Sequence, residues 1–179
     1  MNREARPAAF LDRDGTLVEE VNYLSRVEDL RVFPFTLEAL TLLKDAGFLI
    51  IVMTNQSGIG RGIYTEEAMH SIHRQMDLEL PGLIDEYHFC PHLPDAGCAC
   101  RKPGTGMMEA AESTFAIDRK ESWMVGDKLL DIEAGMNAGT HSALVKTGYG
   151  RSTAEKIVRA PDIIGENLLD VVRQIVAKT

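Results

Sequence analysis

The sequence predicts an α/β fold, namely a three-layer, doubly wound (Rossmann-like), mostly parallel sheet with helices on both faces. Short apolar runs rich in β-branched residues alternate with segments of helical periodicity along the whole chain, which is the pattern of βαβ units. The chain has 179 residues, of which 45% are hydrophobic and 26% charged, so one domain can bury a sizeable core. No internal repeat or long linker interrupts the pattern, and we expect a single domain over residues 1–179.

Six apolar runs are predicted to be strands, because each is short and rich in residues that suit a buried sheet. They are residues 8–11, 48–53, 87–90, 122–125, 143–145 and 162–164. The first two runs end directly in polar residues. In an open α/β sheet the carboxyl ends of the strands are where ligands bind, so these endings are the first candidates for a functional site.

Five segments between the strands are predicted to be helices from apolar residues three and four positions apart. Thr36 is expected to cap the first helix and Gly47 to end it. Thr65 is expected to cap the second, since a hydroxyl accepts from free backbone N–H groups at a helix start. The other three helices are predicted over residues 107–114, 131–138 and 168–175. His70 and His73 are placed on the polar face of the second helix and interpreted as surface residues.

Composition excludes several classes of function. The net charge is −8 with no basic block, which argues against a general nucleic-acid binder. No apolar run is long enough to cross a membrane, and residues 1–7 are too short and polar for a secretory signal, so we expect a cytoplasmic protein. The sequence has three cysteines, and because an odd number cannot all form pairs, a disulfide framework is not expected.

Two aspartates, Asp12 and Asp14, follow the first predicted strand directly, and Gly15 lets the chain turn away. Two carboxylates at such a position are costly unless a cation neutralises them, and they are hard ligands that suit Mg²⁺. One could attack phosphorus while the other handles a proton. A solvated, Asp-rich turn is the alternative interpretation of this motif taken alone.

Three further groups of residues follow in order, each after a strand or before a helix. Thr54, Asn55, Gln56 and Ser57 follow the second strand and offer a hydroxyl, amides and backbone N–H donors to an anion. Arg101 and Lys102 carry positive charge suited to phosphate oxygens. Asp127, Lys128 and Asp131 follow the fourth strand. Four such groups in this order favour a phosphate site over coincidence.

In these motifs the sequence resembles the haloacid dehalogenase superfamily of phosphohydrolases over nearly its whole length. The resemblance implies that Asp12 is the nucleophile that forms an aspartyl-phosphate and that Asp14 is the general acid and base. It implies that Thr54 and Lys102 stabilise the transferring phosphoryl group. It also implies a Mg²⁺ site formed by Asp12, the backbone carbonyl of Asp14, and Asp127, with Asp131 nearby or acting through water.

The cysteines form a second motif, Cys90-x-His92-x5-Cys98-x-Cys100, in the irregular segment 90–106. Three thiolates and one imidazole are a sound ligand set for tetrahedral Zn²⁺, and with all four positions filled the metal is expected to be structural. Free cysteines or a Cys98/Cys100 redox pair are the alternatives. Because Lys102 follows two residues later, zinc would fix the loop that carries Arg101 and Lys102.

The zinc motif narrows the resemblance to a branch of small phosphatases that lack a large cap domain and act on heptose bisphosphates or on histidinol phosphate. The stretch after Thr54 favours a heptose enzyme, which removes the 7-phosphate of a 1,7-bisphosphate, whereas the short loop between His92 and Cys98 resembles histidinol phosphatases. The expected partner is a small phosphorylated sugar. The residues implied to contact substrate are Glu20, Val21, Asn22, Tyr23, Thr54, Asn55, Gln56, Ser57, Arg61, Arg101, Lys102 and Lys128.

The alternative that is not an enzyme is a phosphate-receiver module, because receiver domains also combine a parallel sheet with Asp, Thr and Lys. The second carboxylate, Asp14, argues against it, since turnover needs a group for proton transfer and a phospho-switch does not. With no large cap, we expect an open site bordered by short loops, and a monomer.

Overall fold

The computed structural model describes residues 4–179. Within this range, six strands form one fully parallel sheet in the order β3-β2-β1-β4-β5-β6. The strands are β1 (Ala8–Leu11), β2 (Leu49–Asn55), β3 (Glu86–Cys90), β4 (Trp123–Gly126), β5 (His141–Val145) and β6 (Ile163–Gly165). All six predicted strands are confirmed, with ends that differ by up to two residues, and the order is that of the Rossmann-type doubly wound fold.

Seven α-helices connect the strands of the described chain. They are α1 (Thr36–Asp45), α2 (Ser57–Gly60), α3 (Glu66–Glu79), α4 (Gly106–Thr114), α5 (Leu129–Ala138), α6 (Gly150–Ala154) and α7 (Leu168–Val176). The five predicted helices correspond to α1, α3, α4, α5 and α7. The two short helices α2 and α6 carry too few apolar positions for periodicity to reveal them.

The helix ends show which capping predictions hold. Thr65 caps α3 as predicted, because its hydroxyl accepts from the N–H of Ala68 at 3.1 Å. The prediction that Thr36 caps α1 is wrong. Thr36 is the first residue of the helix, and its buried hydroxyl donates to the backbone oxygen of Leu17 at 2.8 Å. This bond joins the start of α1 to the segment that follows β1.

Two apolar cores lie on opposite faces of the sheet, as a doubly wound fold requires. Alternation along β1 sends Ala9 and Leu11 into one core and Ala8 and Phe10 into the other. The first core is completed by side chains of α1, α3 and α7, and the second by side chains of α4 and α5. Every residue of β1 is buried, so the strand is held from both faces.

The position of β1 determines where the site lies. It pairs with β2 on one side and β4 on the other, so chain connections leave it in both directions and a crevice opens at the carboxyl ends of these strands. The segment after β1 and the irregular segment after β3 border this crevice, and no large cap domain is present among residues 4–179. No helix in that range is both long and apolar enough to cross a membrane.

Candidate active site

Asp12, Lys102 and Asp131 form a buried ionic cluster at the carboxyl end of β1. The Nζ of Lys102 donates to Asp12 Oδ1 at 2.8 Å and to the backbone oxygen of Met53 at 2.8 Å, and lies 2.7 Å from Asp131 Oδ1. An ammonium has three donors, and all three have acceptors here. The lysine side chain, 3% exposed, is therefore fixed by its partners.

Asp127 lies at the end of β4, beside Asp12 and Asp131. One carboxylate oxygen from each of these three residues lies within 4.8 Å of the others. Asp127 Oδ2 accepts from the N–H of Tyr149 at 2.8 Å, whereas Oδ1 is buried and has no hydrogen-bond partner in the described part of the chain. A Cβ at Gly15 would lie 2.3 Å from Asp127 Oδ2, and one at Gly148 only 2.2 Å away. Both glycines thus keep space open around this carboxylate.

The charges in the cluster divide the carboxylates into two kinds. Burial alone would raise the pKa of Asp12, but the positive charges of Lys102 and Lys128 outweigh burial and lower it. Burial, reinforced by the charge of Asp12, instead raises the pKa of Asp127 to about 8. Asp12 is therefore stabilised as an anion, whereas the charge of Lys128 does not offset the burial of Asp127 and the charges of Asp12 and Asp131.

The structure gives both oxygens of Asp131 protein partners. Oδ1 faces Lys102, and Oδ2 accepts from the backbone N–H of Lys128 at 3.0 Å at the start of α5. The predicted role of Asp131 as a metal ligand, directly or through water, stays a prediction. The contact that the structure does contain is the one that positions Lys102.

Asp14 is held from two sides at the edge of the cavity. The guanidinium of Arg13 donates through Nε to Asp14 Oδ2 at 3.0 Å and through Nη2 to Oδ1 at 3.1 Å. From the other side, Gln56 Nε2 donates to Asp14 Oδ2 at 2.9 Å and to Thr54 Oγ1 at 2.7 Å. Since Thr54 Oγ1 accepts from Gln56, its own proton is free to point elsewhere.

Asn55 fixes the loop that carries Lys102. Its Oδ1 accepts from the backbone N–H of Lys102 at 3.0 Å, and its Nδ2 donates to the backbone oxygen of Lys102 at 3.1 Å. This pair of bonds joins the end of β2 to the segment after β3. Sequence order places the two residues far apart, and only the sheet topology brings them together.

A cavity of about 320 Å³ opens beside these residues. It contains Asp14 and most of the predicted substrate-contacting side chains, together with Tyr64 and Tyr149, which the sequence did not single out. The predicted residues on its wall are Glu20, Val21, Asn22, Tyr23, Asn55, Gln56, Ser57, Arg101 and Lys128. Arg61 is exposed at the end of α2 and is not among the residues that line this cavity.

One wall of the cavity carries paired charges. Lys128 Nζ lies 3.3 Å from Glu20 Oε2 and 5.0 Å from the centre of the Tyr149 ring. Burial raises the pKa of Glu20, against the opposing charge of Lys128. Arg101, by contrast, has one hydrogen-bond acceptor among residues 4–179, the backbone oxygen of His92 at 3.3 Å. The guanidinium of Arg101 therefore keeps donors for an anion.

The four predicted zinc ligands converge beyond the end of β3. Cys90 Sγ lies 3.1 Å from Cys100 Sγ, 3.6 Å from Cys98 Sγ and 3.4 Å from His92 Nδ1. All four donor atoms lie within 4.8 Å of one another, and the three cysteines are free. Four soft donors at such separations, with no disulfide, are the donor set of a tetrahedral zinc site.

Besides Tyr64 and Tyr149, the sequence analysis missed two buried residues near the site. Arg13 was not singled out, although it is completely buried and binds Asp14. The interpretation of His73 as a surface residue is wrong, because it is 5% exposed. The sequence did contain a signal for burial, since Met69, Ile72, His73 and Met76 have the spacing of one helical face. It was missed because histidine is a polar residue type.

Comparisons with known proteins agree with this geometry. A family model described as HAD-hydrolase-like matches residues 99–171. The chain is 41% identical over 175 residues to D-glycero-alpha-D-manno-heptose-1,7-bisphosphate 7-phosphatase of Photorhabdus laumondii, covering 91% of this chain and 93% of that one. It is 39% identical over 171 residues to the D-glycero-beta-D-manno-heptose-1,7-bisphosphate 7-phosphatase of Pseudomonas putida, covering 93% and 98%.

A solved structure shows the same architecture. The crystal structure of D,D-heptose 1,7-bisphosphate phosphatase from B. bronchiseptica, complexed with magnesium and phosphate, superposes with a TM-score of 0.89 at 31% identity. The match covers 97% of this chain and 99% of that one. The likeness therefore extends over the sheet, the crevice and the segments that border it.

Proposed function

This chain is a phosphatase that belongs to the D-glycero-D-manno-heptose-1,7-bisphosphate 7-phosphatase family of HAD-like hydrolases, and from that premise we propose that it removes the 7-phosphate of a heptose 1,7-bisphosphate. The observation that carries the proposal is the convergence of Asp12, Lys102 and Asp127 at the carboxyl end of β1, with Asp14, two residues after Asp12, on the wall of a polar cavity. A nucleophile, a proton-transfer group, a fixed cation and a cation site are what phosphoryl transfer needs.

The acidic cluster fits a magnesium ion. The buried Oδ1 of Asp127 has no hydrogen-bond partner among the residues that the structure describes, and the pKa of Asp127 is raised to about 8 by burial and by the charge of Asp12. Both features indicate that a positive charge belongs beside it. We propose that Asp12, the backbone oxygen of Asp14, and Asp127 hold Mg²⁺, which when bound neutralises charge on the phosphoryl oxygens.

In the first step we propose that the Asp12 carboxylate attacks phosphorus and the bond to the sugar oxygen breaks. Lys102 keeps Asp12 ionised and oriented through the 2.8 Å contact to Oδ1, and its charge stabilises the phosphoryl group. Asp14 gives a proton to the leaving sugar oxygen, and Thr54 directs its free O–H toward a phosphoryl oxygen. The product of this step is an aspartyl-phosphate on Asp12.

In the second step a water molecule attacks phosphorus and Asp14 takes the proton from it, which releases phosphate and restores Asp12. The arrangement of Asp14 in the structure suits this step. Both of its oxygens accept from Arg13, and Oδ2 also accepts from Gln56. These donors orient the carboxylate at the edge of the cavity, where we propose that it meets the attacking water.

The cavity supports a sugar with a second anionic group. Arg101 and Lys128 both lie on its wall, and we propose that they bind the phosphate that is not hydrolysed. Glu20 and Asn22 supply acceptors and donors for sugar hydroxyls. Arg61, which lies outside the cavity lining, would act only on a substrate that extends past the cavity.

We propose that Cys90, His92, Cys98 and Cys100 hold a structural Zn²⁺. All four positions of a tetrahedral site are then filled by protein, so no position remains for a catalytic water. The ion would tie the end of β3 to the loop that carries Arg101 and Lys102. Reduced thiolates are required for this site, which supports a reducing compartment such as the cytoplasm.

We also propose that the enzyme acts as a monomer. The residues assigned to both chemical steps and to both metals come from one chain. Light scattering coupled to size-exclusion chromatography would measure the molar mass directly. If a dimer is found, dilution below its dissociation constant should leave its activity unchanged, because the site is complete in one chain.

The deciding experiment compares kcat/KM for the alpha and beta anomers of D-glycero-D-manno-heptose 1,7-bisphosphate with that for histidinol phosphate, each with Mg²⁺. We expect a preference for one heptose anomer of at least about a hundredfold over histidinol phosphate, because histidinol phosphate has no second phosphate to bind Arg101 and Lys128. The position of the remaining phosphate, read by phosphorus NMR, identifies the bond that is hydrolysed. A preference for histidinol phosphate would reverse the assignment.

A further inference from the structure

Arg13 connects the proposed proton-transfer residue to a group deeper in the protein. Its guanidinium is completely buried. Two nitrogens donate to Asp14, and the third, Nη1, lies 3.3 Å from Nε2 of His73 on α3. Arg13 therefore lies between a carboxylate at the cavity and an imidazole that does not reach it.

The imidazole of His73 is itself fixed by its neighbours. It stacks on the ring of Tyr87 with centroids 4.3 Å apart and planes 15° from parallel. Tyr87 is tied in turn by its hydroxyl, which donates to Asp77 Oδ1 at 2.8 Å. His70 approaches His73 edge-on at 6.3 Å. A ring held on these sides presents Nε2 to Arg13 in one orientation.

The direction of the hydrogen bond between them is determined by chemistry. Arginine has five N–H donors and no acceptor, so Nη1 donates and Nε2 of His73 accepts. The proton of the neutral ring is then on Nδ1. Burial, with the adjacent charge of Arg13, lowers the pKa of His73 to about 3, which agrees with an uncharged ring.

We propose that His73 is a positioning residue, whose Nε2 accepts from Arg13 and thereby fixes the plane of the guanidinium that aligns Asp14 for proton transfer. A bidentate contact between arginine and a carboxylate is directional, so rotation of the guanidinium would turn Asp14 with it. The remaining Nη1 contact is what opposes that rotation. This inference rests on the role proposed above for Asp14.

Two substitutions distinguish the hydrogen-bond acceptor of His73 from the shape of its ring. His73→Phe keeps the ring that stacks on Tyr87 but removes the acceptor, whereas His73→Gln removes the ring and keeps an acceptor oxygen at a similar reach. If His73 positions Arg13, the Phe variant should lose activity and the Gln variant should keep it. If His73 acts only by packing, the Phe variant should keep activity and the Gln variant should lose it. His70→Phe, on the same helix, is the matched control.

The readout is the dependence of kcat/KM on the leaving group. Phenyl phosphate leaves poorly and needs protonation by Asp14, whereas p-nitrophenyl phosphate leaves well and needs it little. Since general acid catalysis contributes at least about a hundredfold, we expect His73→Phe to lower kcat/KM for phenyl phosphate by about tenfold and for p-nitrophenyl phosphate by no more than about twofold. Equal losses on both substrates, no loss, or a Gln variant as impaired as Phe would overturn the inference.

These aryl phosphates keep the inference separate from the substrate assignment. Wild-type enzyme that hydrolyses them but not the heptose bisphosphate would refute that assignment alone. A proton–nitrogen correlation spectrum of the imidazole groups adds a readout without substrate. We expect His73 to carry its proton on Nδ1 near neutral pH, and a proton on Nε2 would overturn the inference.

Discussion

Asp131 Oδ1 lies 2.7 Å from the Nζ of Lys102, and both side chains are almost completely buried. Asp131 thus holds the cation that orients Asp12, although its own position is electrostatically unfavourable. Burial, reinforced by the charge of Asp12, raises the pKa of Asp131. A raised pKa means that the site disfavours the ionised form of this residue, so the contact serves the arrangement of the site more than the stability of the fold.

Asp131→Asn is therefore expected to lower activity without lowering stability. The amide cannot supply the charge that holds Lys102, so kcat should fall by at least about tenfold. The thermal midpoint, by contrast, should stay unchanged or rise, because Lys102 keeps its ion pair with Asp12 and a carboxylate whose ionised form the site disfavours is removed. Initial rates and calorimetry on the same preparation test both parts. A variant that loses stability and activity together would contradict this account.

Asp12→Asn is expected to abolish turnover, because an amide cannot form the aspartyl-phosphate. The loss of kcat should be at least about a thousandfold, measured as phosphate release at saturating Mg²⁺. Asp45→Asn, at the exposed end of α1, is the matched control and should keep full activity. Undiminished turnover by Asp12→Asn would exclude the covalent route.

Asn55→Ala tests how the Lys102 loop is held. The substitution removes both hydrogen bonds to the backbone of Lys102, so Lys102 should occupy its position for a smaller fraction of time and kcat should fall by about tenfold. Asn137→Ala removes an exposed bond from the same loop, to the backbone oxygen of Pro103 at 3.1 Å, and should cost less than twofold. If the two variants behave alike, the Asn55 contacts do not position Lys102.

Removal of zinc should affect the fold and the activity together. Elemental analysis is expected to find about one zinc per chain. A chelator that strips it should lower the thermal midpoint and reduce kcat, because the loop before Lys102 loses the ion that orders it. Zn²⁺ should restore both quantities, whereas Mg²⁺ alone should restore neither. A stable and active preparation without zinc would refute the structural role.

The buried His73 predicts a pH dependence of stability. Its pKa is about 3 in the folded protein and about 6.5 when unfolded, so between these values the unfolded chain binds the extra proton and stability falls as the pH is lowered. At pH 5 the loss from this residue is up to about 2 kcal/mol. Urea unfolding of wild type and His73→Gln at pH 5 and pH 7 measures it. Equal pH dependence in both proteins would contradict a buried, neutral His73.

The sequence allowed prediction of the fold class and of the sheet edge where the site lies for one physical reason, whereas residues 20–23 of the cavity wall were implied by the family resemblance. In a parallel sheet, residues that follow successive strands meet at the same edge, so the positions of Asp12, Thr54 and Asp127 follow from the order of strands alone. The fold prediction and the phosphatase prediction are both confirmed. The assignment of individual residues to catalysis and to metal binding stays a prediction.

The sequence alone could not predict contacts that depend on how the strands and helices are arranged in space. Asn55 meets the backbone of Lys102 only because β2 pairs with β3, and no local pattern contains this pairing. Thr36 has the residue type of a helix cap but donates to Leu17 instead. Arg61 follows the second strand, as the site requires, yet α2 carries it outside the cavity lining.

The central position of β1 has a consequence for how the molecule moves. All four of its residues are buried, and Ala9, Phe10 and Leu11 pair on both sides, so we expect its amide protons to exchange with solvent only when the sheet opens. The wall formed by residues 20–23 lies in an irregular segment, where Val21 and Tyr23 are more than a third exposed, and we expect its amides to exchange by local opening. Asp12, the proposed nucleophile, thus follows a strand that is expected to exchange slowly, whereas the wall of the cavity is expected to exchange more rapidly.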